Sequence, residues 1–217
     1  MGTLQRLLDN NRLWAAERVR EDPEFFHRLA LIQRPNTLWI GCSDSRVAAN
    51  VITGTIPGEI FVHRNVANLV IHTDVNMLSV LEYALNVLQV KDVIVCGHYD
   101  CGGVTAAMTN QTFGAINKWL RHIKDVYRLH ETEVRSLPSE RERQDRLVEL
   151  NVREQVLNLA KTSVIQKLWK REGRPTLHGW VYGLENGLIR PLLELGPETE
   201  IDPIYRYDDI AKSADEA

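Results

Sequence analysis

Three residues of this chain are of the types that bind a soft metal ion, and their spacing allows them to converge: Cys42, His98 and Cys101. His98 and Cys101 form a His-x-x-Cys pair, in which one turn of chain can point both side chains at a single ion. Thiolate sulfur and imidazole nitrogen are the donors zinc prefers. With Cys42 as third ligand one tetrahedral position stays open, the pattern of catalytic zinc, where the metal activates a water molecule. Asp44 and Arg46 follow Cys42 in the segment Cys42-Ser-Asp-Ser-Arg46. The carboxylate could bind the metal or take a proton from its water, and the guanidinium would keep it ionised and oriented. Two thiolates give the ion more charge than imidazoles would, so its water should be less acidic and a nearby acceptor more useful. Gly102-Gly103 lets the backbone pass close to whatever occupies the open position.

Each of these features has a plainer reading when taken singly. A lone His-x-x-Cys arises by chance, a free cysteine commonly packs as a small hydrophobe, and Asp44-Arg46 could be a surface ion pair. Cys96 lies inside an apolar run and is assigned to the core. His27, His63, His72, His122, His130 and His178 are read as surface or satisfied core histidines. The conjunction of all the features carries the zinc reading.

For these residues to meet, the chain must place Cys42 and His98 at neighbouring strand ends. The run Thr37-Leu-Trp-Ile-Gly41 reads as a buried strand ending at Cys42, and Asp92-Val-Ile-Val-Cys-Gly97 as a β-branched strand ending at His98. Further strands are expected at Glu59–Arg64, Thr176–Tyr182 and Leu188–Leu193. Helices are expected near Asp74–Gln89, Phe113–Leu129 and Ser139–Thr162, the last opening on a capped, solvated face. Before them, Leu4, Leu7, Leu8, Leu13 and Trp14 recur at helical spacing. Asp22-Pro23 reads as an N-cap with proline at the first position of a second helix. Strands alternating with helices predict an α/β fold, a mostly parallel central sheet flanked by helices with an N-terminal helical arm. In such sheets ligands gather beyond the carboxyl ends of the strands.

The 217 residues suffice for one well-buried core, and one domain is expected over 1–217, with an arm at 1–34, an α/β core at 35–196 and a tail at 197–217. The net charge of −3, with basic residues dispersed, excludes a nucleic-acid footprint. Three cysteines give no disulfide framework. No secretory leader, lipidation signal or membrane span is read, and a soluble, cytoplasmic protein is expected.

With these residues assembled, the chain resembles the β-class carbonic anhydrases, of the bacterial type and with the residues of the bicarbonate-regulated subset. The matching pieces are Cys42-Ser-Asp-Ser-Arg46, His63-Arg-Asn-Val-Ala-Asn68, Cys96-Gly-His-Tyr-Asp-Cys-Gly-Gly103 and His178-Gly-Trp-Val-Tyr182, and the likeness runs to about Leu193. The resemblance implies reversible hydration of carbon dioxide to bicarbonate and a proton by zinc-hydroxide attack, with one Zn2+ per chain. It implies Cys42, His98 and Cys101 as ligands and Asp44 and Arg46 as the catalytic dyad. It further implies a substrate cleft lined by Gln33, Phe61, Val66, Tyr83 and Gly102 at the interface of a homodimer or tetramer, with the N-terminal helices wrapping the partner. In the regulated subset Asp44 swings onto zinc and closes the site, and bicarbonate favours that state by binding a pocket that corresponds here to Trp39, Arg64 and Tyr182. The zinc site could then look closed, with four protein ligands. Two other functions stay open on sequence grounds: a zinc-stabilised binding protein without turnover, with Asp44 as permanent fourth ligand, and hydrolysis of a carbon dioxide analogue such as carbonyl sulfide.

Overall fold

The computed structural model describes residues 2–211; the end of the expected tail, 212–217, lies outside the described residues. The chain forms two compact units, Met1–Arg34 and Pro35–Ala217. In the first, helix α1 spans Thr3–Glu21 and helix α2 spans Phe25–Leu31. Trp14, Phe25 and Phe26 meet edge to face, a geometry that aromatic quadrupoles favour. Asp22-Pro23 does not open α2 as expected. Asp22 closes α1 instead, and its carboxylate accepts from the Glu24 N–H at 3.1 Å, which makes a turn of the segment and delays the helix to Phe25.

The second unit is built on five strands: β1 (Thr37–Cys42), β2 (Ile60–Asn65), β3 (Asp92–His98), β4 (Thr176–Tyr182) and β5 (Ile189–Leu195). Their order in the sheet is β2-β1-β3-β4-β5; the first four are parallel and β5 runs antiparallel to β4. The sequence expectation of an α/β fold with a mostly parallel sheet is what the structure has. Because β1 and β3 are neighbours, with Gly41 opposite Cys96, the strand ends carrying Cys42 and His98 lie side by side.

Helix α3 (Ala49–Thr53) follows β1, and helix α4 (Val75–Glu82) follows β2. Asp74 caps α4, accepting from the Asn76 and Met77 N–H groups at 3.1 and 3.4 Å. Beyond Glu82 the helix widens: the Leu88 N–H reaches back five residues to the Tyr83 carbonyl, 3.0 Å. After β3 come α5 (Gly102–Ala107), α6 (Asn117–Leu129), α7 (Glu131–Arg135), α8 (Glu140–Ala160) and α9 (Ser163–Glu172). Ser139 and Glu142 form the reciprocal capping box at the start of α8. Two short helices, α3 and α5, and the separate helices α7 and α9 were not anticipated. For α9 the signal was present: Thr162 accepts from the Ile165 N–H at 3.4 Å, and Gly173 ends the helix at φ +66°, a conformation L side chains resist.

The main core lies on the sheet face covered by α8, with Leu38, Ile40, Val93, Val95, Leu177 and Val181 packed against Val148, Val152 and Val156. Gly179 is required there, since a Cβ at that position would sit 3.1 and 3.2 Å from Val152 and Val156 methyls and collide with Leu193. A smaller cluster on Trp39, Ile94 and Cys96 covers the other face. Among the described residues no helix is long and apolar enough to cross a membrane.

Candidate metal centre

Cys42, His98 and Cys101 are all buried, and their donor atoms lie within 4.8 Å of one another. Cys42 Sγ and Cys101 Sγ are 4.0 Å apart. The two-residue link between His98 and Cys101 turns sharply, with Asp100 at φ +57°, so that both side chains face the same point. A carbonyl oxygen can only accept, so the 2.8 Å bond between His98 Nδ1 and the Tyr99 carbonyl fixes the proton on Nδ1. Nε2 is then left with its lone pair toward the two sulfurs. It is buried and has no hydrogen-bond partner. Buried nitrogen without a partner is costly, and a metal ion at this point would satisfy it together with both thiolates. The donor set fits zinc, with three ligands of the preferred types and no fourth in the cluster among the described residues.

The two thiols share their first proton unequally. The hydrogen bond from Cys101 outweighs burial, and the N–H groups of Asp44 and Ala67 add to it, so the Cys42 thiol is pulled down to about 4. Cys101 is pushed up by Cys42 and by burial. Cys96, in the strand interior, is raised by burial alone and faces the smaller cluster, as its assignment to the core requires.

Asp44 lies beside this triangle, its Oδ2 3.7 Å from His98 Nε2. It is held by Arg46 through a two-pronged contact, Nε to Oδ1 at 2.9 Å and Nη2 to Oδ2 at 2.7 Å, and the Arg46 N–H adds a third bond at 2.9 Å. The Arg46 side chain therefore holds the Asp44 carboxyl well below the usual carboxylate range. Asp44 is turned to Arg46, so the closed arrangement that the sequence allowed for is not the one seen. Arg46 is further placed by a 3.4 Å bond to the Asp100 carbonyl.

Arg64, expected to offer charge to bicarbonate, has its guanidinium on three main-chain carbonyls: Cys42 at 2.9 Å, Asp44 at 2.6 Å and Val47 at 2.8 Å. It holds the loop that carries the dyad. Trp39 and Tyr182 belong to the smaller cluster on the sheet face opposite the main core, and the Trp39 indole nitrogen would collide with a Cβ at residue 41, which requires Gly41. Of the expected cleft residues, Phe61 and Tyr83 pair with ring centroids 5.8 Å apart. Val66 packs near the ligands: its Cγ1 is 2.9 Å from the place a Gly103 Cβ would take. Gly102 is open at its Cα. Gln33 belongs to the first unit.

The sequence reading missed the residues that hold the site from behind. The Ala67 N–H donates to Cys42 Sγ at 3.4 Å, and Ala67 is itself at φ +63°. Asn151 of α8 donates to the Ala67 carbonyl at 3.0 Å, Gln155 accepts from the Val70 N–H at 2.8 Å, and Asn158 donates to the Val70 carbonyl at 3.1 Å. The signal for this ladder was available: Asn151, Gln155 and Asn158 recur at helical spacing among the valines of α8 that face the sheet.

Residues 37–189 match the protein-family model described as carbonic anhydrase. A carbonic anhydrase of Emericella nidulans is 50% identical over 190 residues, covering 88% of this chain and 83% of the relative. Among solved structures, a β-carbonic anhydrase of Aspergillus fumigatus superposes with a TM-score of 0.84 at 39% identity, covering 88% of this chain and 91% of that one. One of two β-carbonic anhydrases of Sordaria macrospora, described as tetrameric, gives 0.86 at 37%, covering 89% and 98%. These three are fungal proteins and do not single out a bacterial type.

Proposed function

The chain belongs to the β-class carbonic anhydrases, and from that membership we propose that it hydrates carbon dioxide reversibly to bicarbonate and a proton with one zinc ion per chain. The observation that carries the proposal is the buried, partnerless Nε2 of His98 facing two cysteine sulfurs, with Asp44 fixed beside them. Cys42 Sγ, Cys101 Sγ and His98 Nε2 are the ligands. Zinc held by these three residues would acidify its water and supply the nucleophile, at a higher pH than an all-histidine site would. Asp44 stays ionised over the working range. A carboxylate held this low is a poor base, so Asp44 acts as a fixed hydrogen-bond acceptor that orients the nucleophile. Arg46 keeps that acceptor in place. Val66 and Gly102 flank the ligands, whereas Phe61 and its neighbour Tyr83 sit at the other end of β2, so they would line the cleft only at the interface with a second subunit.

The enzyme is proposed to self-associate. Leu4, Leu7, Leu8 and Leu13 of α1 are exposed, and the Sordaria relative is tetrameric by description. Location in the cytoplasm is part of the same reading, which rests on three cysteines that are all free. Stopped-flow hydration of carbon dioxide above about pH 8, with zinc content measured in parallel, tests the activity. Turnover with one zinc per chain is expected; a zinc-loaded protein without turnover would leave a zinc-stabilised binding protein or a hydrolase of a carbon dioxide analogue.

Inhibition by bicarbonate and by acid belongs to the proposal as well. An anion drawing Arg64 toward Trp39 and Tyr182 would take it from the carbonyls of Asp44 and Val47 and loosen the loop that carries the dyad. Asp44, released by Arg46, is already close enough to the donor cluster to shut it. Arg64→Ala is a poor test, because it removes three main-chain bonds at once. Trp39→Phe and Tyr182→Phe leave those bonds intact and should weaken inhibition by bicarbonate beyond what product competition accounts for. If both variants keep the parent's pH profile and bicarbonate sensitivity, regulation by this route is wrong.

A further inference from the structure

The peptide unit between Val66 and Ala67 is gripped at both ends. Its N–H donates to Cys42 Sγ at 3.4 Å. Its carbonyl, which a trans peptide points the opposite way, accepts from the indole Nε1–H of Trp119 on α6 at 2.7 Å. The connection therefore runs from indole N–H to carbonyl, through one amide, to a sulfur of the metal cluster. The Ala67 side of the same segment is held in a left-handed conformation by the Asn151 bond and is closely packed on Gly103. The backbone there has little room to compensate if one grip is lost.

We propose that Trp119 is a positioning residue for the zinc site, acting through the 66–67 peptide on Cys42. The inference rests on the zinc reading above and adds to it a residue far along the chain that touches no ligand. Two physical effects operate together. The indole bond fixes the peptide plane, and so the direction of the N–H toward Cys42 Sγ. It also polarises the amide, since hydrogen bonds in a chain strengthen one another. Groups behind a ligand set its orientation and donor strength, and their loss typically costs about 10–100-fold in metal affinity. With one peptide unit intervening, the lower end of that range applies.

Trp119→Phe removes the indole N–H and keeps an aromatic ring in the half-buried site. Trp169→Phe is its matched control. Trp169 also donates its indole N–H to a carbonyl, that of Pro175 at 2.6 Å, in a part of the core that holds no ligand. Both variants and the parent are loaded with zinc, and transfer of the ion to a chromophoric chelator is timed. Zinc release from Trp119→Phe should be about tenfold faster than from the parent, and release from Trp169→Phe should match the parent. In cobalt-substituted protein the sulfur-to-metal charge-transfer band of Trp119→Phe should move to lower energy, because a thiolate that has lost a hydrogen bond gives up its electrons more readily. General loosening of the core would not move that band. Parent-like release and an unmoved band in Trp119→Phe would overturn the role of Trp119. A parent that binds no zinc would instead overturn the metal reading on which it rests.

Discussion

Cys42→Ser should lose its zinc and its activity together. Cys42 is the anchor of the cluster, because its thiol is pulled down by Cys101 first and then by two main-chain N–H groups, against the cost of burial. It is the more readily ionised of the two thiols, so a metal displaces its proton more easily than that of Cys101. A serine hydroxyl in the same place stays protonated and offers a neutral, harder donor, which suits zinc poorly. The two remaining ligands, His98 and Cys101, come from one loop and enclose the ion from one side only. After dialysis against a chelator the variant should carry almost no zinc and hydrate carbon dioxide at the background rate, with circular dichroism like the parent's. Cys96→Ala is the control, since Cys96 is equally buried but belongs to the smaller cluster on the other side of the sheet. That variant should keep one zinc per chain. Full zinc and full activity in Cys42→Ser would remove the basis for the whole site.

Much of this was legible because the ligands sit at the ends of strands whose composition is unambiguous. The apolar run before Cys42 and the β-branched run before His98 define β1 and β3, and parallel sheets gather function at their carboxyl ends. Which strands would be neighbours was not legible, because pairing is decided by packing between distant segments. The observed order, with β3 beside β1, is what makes Cys42 and Cys101 a pair. The helices were read less well where local signals were short. Asp22-Pro23 has the form of a cap, yet the Asp22 carboxylate finds the Glu24 N–H sooner and makes a turn. Arg64 shows a different limit. Its motif points to an anion, and its side chain in the fold satisfies carbonyls of the dyad loop. A guanidinium has five donors and suits either partner, so the residue type alone could not decide between them. The amide ladder of α8 was legible in principle, because polar residues on the buried stripe of a helix must have partners. The partners are main-chain groups some 80 positions away, as for Asn151 and Ala67, and no spacing rule names those.

Arg46→Ala should give the opposite signature to the loss of Cys42: zinc retained, activity lost. Arg46 touches none of the three ligands. Its side chain is more than half exposed, and by exposure alone it would pass for one member of a surface ion pair of little consequence. Its geometry argues otherwise. It presents Nε and Nη2 to the two oxygens of one carboxylate, and that carboxylate lies 3.7 Å from the unpartnered nitrogen of a buried histidine. Without the guanidinium, Asp44 loses the main cause of its low pKa and the side-chain restraint that keeps it turned away from the cluster. The nearest positive charge is then the metal centre. Asp44 should close on it, and the acceptor that orients the nucleophile disappears at the same moment as the open position. Removal of one preorganised group of this kind costs about 10²–10³ in turnover. Arg46→Lys should be nearly as impaired, because an ammonium on a flexible stem offers no planar fork to hold both oxygens. Stopped-flow rates with zinc analysis on the same samples decide the matter. Parent-like turnover in Arg46→Ala would return the pair to the surface reading, and zinc loss in that variant would mean that Arg46 supports the ligands rather than the open site.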